Sequence, residues 1–203
     1  MEALQLSLFD DEQNNRVELE ELFQAYYDCR KNKRRTINAL SFEVDFENNL
    51  IQLWRDINHH TYNPGRSIAF IVTKPVLREV FAADFRDRVV HHLLINKFNH
   101  IFEQKFINDS YSCREGKGTL YGVKQVAKFM RECSNNYTRD CYVLKMDIKS
   151  FFMSIDKKIL FQKVRELVVE NYDGGDKELM IELIHKVIFN NPEKNCHIKG
   201  KRS

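Results

Sequence analysis

Apolar residues recur along this chain with two different periods. From Val17 to about Arg30, Leu19, Leu22, Phe23 and Tyr26 fall every three or four positions. Phe46, Leu50, Leu53, Trp54 and Ile57 repeat that spacing, so two amphipathic helices are predicted. The Asn63-Pro64-Gly65 turn ends the helical regime. Beyond it, Ser67 to Val72 and Val76 to Ala83 are rich in β-branched and aromatic residues around Pro75, which predicts a β-hairpin or two adjacent strands. Helical spacing returns from about Asp84 to Phe106, where Val90, Leu93, Leu94, Phe98, Ile101 and Phe102 align. Asp84 and Asp87 at its start suit the positive end of a helix dipole. Gly116 and Gly118 punctuate a loop, and Leu120, Val123, Val126, Ala127 and Met130 mark the next helix. After the polar stretch Ser134 to Arg139 comes Cys141-Tyr142-Val143-Leu144-Lys145-Met146-Asp147, an apolar run of the length of a buried strand. Two further helices are predicted near Lys157 to Glu170 and Asp176 to Phe189, and residues 1 to about 15 read as a polar tail with one apolar patch. The pattern is α+β, helix-rich, without an internal repeat.

Composition narrows this picture. The 203 residues suffice for one compact domain or one and a half, and fifteen Phe against seven Gly and three Pro exclude a collagenous or low-complexity chain. A net charge of +3 does not by itself announce nucleic acid. Local clusters say more: Arg30, Lys31, Lys33, Arg34 and Arg35, then Arg86 and Arg88, then Lys199, Lys201 and Arg202, while acids crowd the first twenty residues. Such an uneven field suits a polyanion on one face, although charge runs also serve as solvated helix faces. Five scattered cysteines without a C-x-x-C pair argue against a disulfide framework or a structural zinc. With no signal peptide and no membrane-length apolar run, a soluble, reducing, cytoplasmic setting is expected.

Asp147 is the most informative residue. An acid closing a buried apolar strand is costly unless a cation or hydrogen bonds accept it. Period two would place Val143, Lys145 and Asp147 on one face; by strand position alone, a strand-end Asp or a helix N-cap is the plainer reading. The run Val143 to Asp156, V-L-K-M-D-I-K-S-F-F-M-S-I-D, resembles the first palm motif of reverse transcriptases, especially those of group II introns, retrons and diversity-generating retroelements. The resemblance implies that Asp147 binds catalytic Mg2+ with help from the Ile148 backbone carbonyl, and that Phe152 screens the sugar 2′-hydroxyl. Two-metal phosphoryl transfer needs such carboxylates to hold both ions. Without that frame, Phe151 and Phe152 are core aromatics.

Two more stretches fit the same family in the same order. Lys74 to His92 resembles its first fingers motif, in which Arg78 and Lys74 would hold the incoming triphosphate on a hairpin; the plain alternative is edge-guarding strand charges. Ile107 to Thr119 resembles its second motif, in which Arg114, Lys117 and the amides of Gly116 and Gly118 would cradle phosphate, although a G-K-G before a helix is commonly just a turn and cap. Arg86 and Arg88 join Arg114 and Lys117 as expected nucleic-acid contacts.

The resemblance covers roughly residues 40 to 200. Met153 and Lys157 stand where many relatives have Pro and His. It implies a flexible tail over 1–16, N-terminal helices and a fingers subdomain with a β-hairpin over 17–140, and a truncated palm with its first strand and helices over 141–203. Partners would be an RNA template, a DNA primer and deoxynucleoside triphosphates. The aromatic-x-Asp-Asp hairpin that supplies the family's second acidic pair does not occur after Asp147. A catalytically inactive binding module, or a defence-type relative, is the alternative reading. In the tail, Gln5, Leu6, Leu8 and Phe9 resemble the peptide by which bacterial proteins bind the sliding clamp; a patch that staples onto the first helix would look the same. An unpaired palm strand would also promote self-association.

Overall fold

The computed structural model describes residues 15–31, 36–74 and 77–199. Its elements are α1 (Leu19–Arg30), α2 (Ile37–Glu43), α3 (Phe46–Asn58), β1 (Ser67–Val72), β2 (Arg78–Ala82), α4 (Phe85–Lys105), α5 (Thr119–Cys133), α6 (Phe151–Ser154), α7 (Lys157–Asn171), α8 (Lys177–Phe189) and β3 (Cys196–Ile198). The fold is α+β and helix-rich with a small three-stranded sheet. The chain divides into two compact units, one of residues up to Asn99 together with those from Asp156 onward, the other running from His100 to Ile155.

In the first unit the predicted helical stripes become a core. Leu22, Ala25 and Tyr26 of α1, Leu50, Leu53 and Ile57 of α3, Phe85, Val89 and Leu93 of α4, and Leu179, Met180 and Leu183 of α8 are all buried. Aromatic rings bind part of it together: Tyr26 stacks on Phe46 with centroids 5.3 Å apart, and Phe42 meets Phe85 at 5.2 Å. The entry to α1 is clamped from α3, since Val17 O accepts from Trp54 Nε1 at 2.7 Å and Asn58 Nδ2 at 3.1 Å. Lys97, on α4, lies 2.8 Å from Asp176 and 2.6 Å from Glu21, and Tyr172 OH donates to the other Asp176 oxygen at 2.6 Å. Burial alone would lower the Lys97 pKa, but its bonds to Asp176 and Glu21 outweigh that and raise it.

The expected hairpin forms. β1 and β2 are antiparallel, with Ile68 opposite Ala82 and Val72 opposite Arg78. β3, which the hydropathy pattern did not suggest, pairs parallel to β1 on its other side, Ser67 opposite Cys196 and Ala69 opposite Ile198. The turn before β1 is pinned to α4, because buried Asp87 accepts from Tyr62 OH at 2.9 Å and Gly65 N at 2.8 Å. α2 is a second unforeseen element.

In the second unit the strand expected over Cys141–Asp147 is not formed. Residues 141–148 carry neither helix nor strand, and Tyr142 and Met146 are 91% and 81% exposed. A strand closes its hydrogen bonds only against a neighbour, and among the described residues every strand belongs to the sheet of β2, β1 and β3. The face shared by Lys145 and Asp147 therefore does not arise. α7 starts where Asp156 accepts from Lys158 N at 2.8 Å and Ile159 N at 3.2 Å, so the helix-capping aspartate of this motif is Asp156 and not Asp147.

Candidate nucleic-acid and nucleotide interface

Each unit presents part of the expected site. In the first, Arg78 opens β2, opposite Val72 at the distal end of the hairpin, and both Arg78 and Lys74 are exposed without a charged or hydrogen-bonding partner among the described residues. At the other end of the hairpin, an open cleft of about 930 Å3 lies over the sheet. Ile68, Phe70 and Ala82 line it with apolar surface, while Arg88, His197 and Lys199 bring cationic or protonatable groups. Arg88 spends Nε on Ala83 O at 3.0 Å, and its terminal nitrogens have no partner among the described residues.

Arg86 is used differently from its neighbour. Its guanidinium donates to Asp56 at 2.6 Å and sits 5.0 Å above the Tyr62 ring, so it braces the turn between α3 and β1. Nearby, burial raises the Asp87 pKa against the lowering effect of its bonds from Tyr62 and Gly65, and burial together with Asp87 raises that of Tyr62.

In the second unit, Arg114 organises its own loop. It meets Glu103 through Nε at 2.9 Å and through a terminal nitrogen at 2.8 Å, donates to Ile107 O and Ser110 O at 2.9 and 3.1 Å, and covers the Phe106 ring at 5.4 Å. Lys117 donates to the backbone oxygen of Asn108 and, at 3.2 Å, to its side-chain oxygen. Both cations of the expected phosphate cradle are thus engaged within the loop. Gly116, at φ 68°, and Gly118, at φ 138°, adopt backbone that favours glycine, and a Cβ at either would meet open space. The loop keeps two unobstructed backbone approaches even though its charges are held.

Asp147 is exposed and has no hydrogen-bond or ion-pair partner among the described residues. Ile148 follows it at 64% exposure, and Phe152, 85% exposed, touches the Phe151 ring edge-on at 5.3 Å. No three His, Cys, Asp or Glu side chains gather into a cation site among the described residues. The Asp147 carboxylate and the Ile148 carbonyl are both hard oxygen donors of the kind Mg2+ prefers. Gln5, Leu6, Leu8 and Phe9 lie outside the described residues, as do Lys33, Arg34, Arg35, Lys201 and Arg202. Among the described residues no helix is long and apolar enough to cross a membrane.

Sequence reasoning named Arg88 and Lys199 but missed His197 and Phe70. Phe70 carried only the general signal of an aromatic in a strand, and His197 none, because it reaches the cleft through a parallel pairing with distant β1.

Among known proteins, no family model matches the chain. It is similar to Protein YkfC of Escherichia coli (strain K12), 24% identical over 121 residues, which cover 58% of this chain and 31% of that protein. The match therefore spans about a third of that relative's length.

Proposed function

We propose that this chain is the fingers and the first piece of the palm of an RNA-directed DNA polymerase of the bacterial retroelement type, which extends a DNA primer with deoxynucleoside triphosphates on an RNA template. The observation that carries the reading is Asp147: a carboxylate with no partner among the described residues, inside a run of large apolar side chains, Tyr142, Val143, Leu144 and Met146, that are all exposed. A strand-end or capping aspartate would be tied to backbone N–H groups, as Asp156 is. An unengaged carboxylate in that setting is free to bind a cation.

In this reading Asp147 and the Ile148 carbonyl hold Mg2+, which when bound neutralises charge on the transferring phosphoryl group. Arg78 and Lys74 bind triphosphate oxygens, the first as a bidentate fork and the second as a mobile point charge. Phe152 occupies the space of a ribose 2′-hydroxyl and favours deoxynucleotides. The cleft lined by Phe70, Arg88 and Lys199 offers unstacked template bases an apolar surface and phosphates a cationic one.

Because no aromatic-x-Asp-Asp motif follows Asp147 in these residues, they are expected to extend no primer alone. The test is Asp147→Asn in a chain carrying the later acidic pair: primer extension should fall to background while binding of template RNA without Mg2+ is retained. Full DNA synthesis by that variant would overturn the proposal. An unaltered chain that carries the later acidic pair, binds RNA and never polymerises would favour a binding module.

A further inference from the structure

Between α2, α3 and the entry to α4, the first unit holds another cavity, of about 340 Å3 and with polar walls. Asn38, Ser41 and Phe42 reach it from α2, Asn49 and Gln52 from α3, and Asp84 and Arg86 from the entry to α4. Some of their hydrogen-bonding groups are already spent. Asn49 Nδ2 donates to Phe42 O at 3.0 Å and Gln52 Nε2 to Asp56 at 2.8 Å, which leaves the two amide oxygens as acceptors. Asp84 Oδ1 accepts from Arg86 N at 3.0 Å, while Oδ2 has no partner among the described residues. The Asn38 amide and the Ser41 hydroxyl have none among them either.

Charge decides which ligands such walls accept. Arg86, although paired with Asp56 at 2.6 Å, disfavours a cation, and Asp84 beside it disfavours an anion. What remains is a neutral ligand with donors and acceptors of its own, to which Phe42 adds an apolar contact. Nucleobases are ligands of that kind. Guanine alone offers two neighbouring donor groups, N1–H and the N2 amine, next to an acceptor, O6; on the same edge adenine, cytosine and uracil have one donor group each. Asp84 Oδ2 and the amide oxygens of Asn49 and Gln52 suit the donors. The Asn38 amide N–H and the Ser41 hydroxyl suit O6.

Asn38 also lines the cleft over the sheet, so the cleft and the pocket share a wall. A strand whose phosphates lie along Arg88 and Lys199 can turn an unstacked base across α2 into the pocket. We propose that this pocket reads one unstacked guanine of an RNA strand bound in the cleft, and that Asp84 selects it. The inference rests on the reading of that cleft as an RNA-binding surface.

The test is fluorescence-anisotropy binding of the whole chain, without Mg2+, to short oligouridylates that carry one central guanosine, inosine or adenosine, or none. The guanosine strand should bind about tenfold tighter than the adenosine and plain strands, the discrimination expected of one bidentate base contact. Inosine lacks only the N2 amine and should fall between them, which probes the acceptor wall without altering the protein. Asp84→Asn keeps an oxygen for Arg86 N, as asparagine also caps helices, but replaces Oδ2 with a donor. That variant should lose the preference for guanosine and keep its affinity for the plain strand. Equal binding of all four strands, inosine matching guanosine, or an unchanged preference in Asp84→Asn would overturn the pocket assignment and leave the cleft reading standing. A chain that binds none of the strands overturns both. Guanosine monophosphate bound as tightly as the guanosine strand would put a free nucleotide in the pocket and overturn its assignment to RNA.

Discussion

α3 and α5 are both amphipathic helices, built from the same recurrence of apolar residues, yet they meet different surroundings. Leu50, Leu53 and Ile57 of α3 are fully buried, whereas Leu120, Val123 and Val126 of α5 are 69%, 60% and 45% exposed and that helix has no buried residue. The same contrast separates the two units. The first holds nearly all the buried apolar residues, while the second, from His100 to Ile155, contributes only Ile101 to them. Periodicity therefore specifies the helix but not its burial. What the first unit adds is several stripes that face one another and ion pairs that fix their register; the second has one long stripe and an apolar run without neighbouring strands.

Five measurements test that contrast. Leu53→Ala should cost about 4 kcal/mol in urea unfolding, as for a fully buried leucine whose cavity does not collapse; a loss below about 1 kcal/mol would mean that the first unit's core is not tightly packed. Asp176→Asn should cost about 3 kcal/mol, because it removes one carboxylate from the buried pair with Lys97 while Glu21 stays. Lys97→Met combined with Asp176→Leu should recover most of that loss, and no recovery would show that the charges stabilise more than their burial costs.

A smaller effect comes from pH. The Asp28 pKa is lowered to about 2, first by its bond from Lys31 and then by those from Gln24 and Asn96, against the raising effect of burial. A carboxyl whose folded pKa is depressed stabilises above its unfolded value and loses that contribution as pH falls through the folded one. Wild type should therefore lose about 1 kcal/mol more than Asp28→Asn between roughly pH 4 and pH 2, a figure reduced for solvent screening at a half-buried site. Equal losses in the two proteins would remove Asp28 from the account. Smallest of all, Leu144→Ala, at 79% exposure, should change stability by no more than about 0.5 kcal/mol. A cost of several times that would show that the second unit has a core after all.

Local pattern made some of the fold readable and long-range pairing hid the rest. Phe46, Leu50, Leu53 and Ile57 announced α3, and the β-branched runs around Pro75 announced the hairpin, because both signals reside within a dozen residues. β3 escaped notice because three residues, Cys196 to Ile198, hold no periodicity, and their partner is β1, far earlier in the chain. The run Tyr142 to Asp147 misled in the opposite direction: its composition suits a strand, but composition cannot supply a neighbour. At the candidate site, residue type singled out Asp147, Arg78 and Arg88 as candidates. It could not show that Arg86 is taken by Asp56 and Tyr62, or Arg114 by Glu103 and two backbone oxygens, since those commitments are tertiary.

The parallel pairing of β3 with β1 bears on how the chain is made. β2 can dock on β1 soon after the hairpin leaves the ribosome, but the opposite edge of β1 must wait until residues 196–198 have been synthesised. Through that interval Ser67 and Ala69 keep unpaired backbone groups, which strands of other nascent chains can capture. Slow translation between residues 82 and 196 would lengthen that exposure, so the yield of correctly folded protein should depend on elongation rate as well as on final stability.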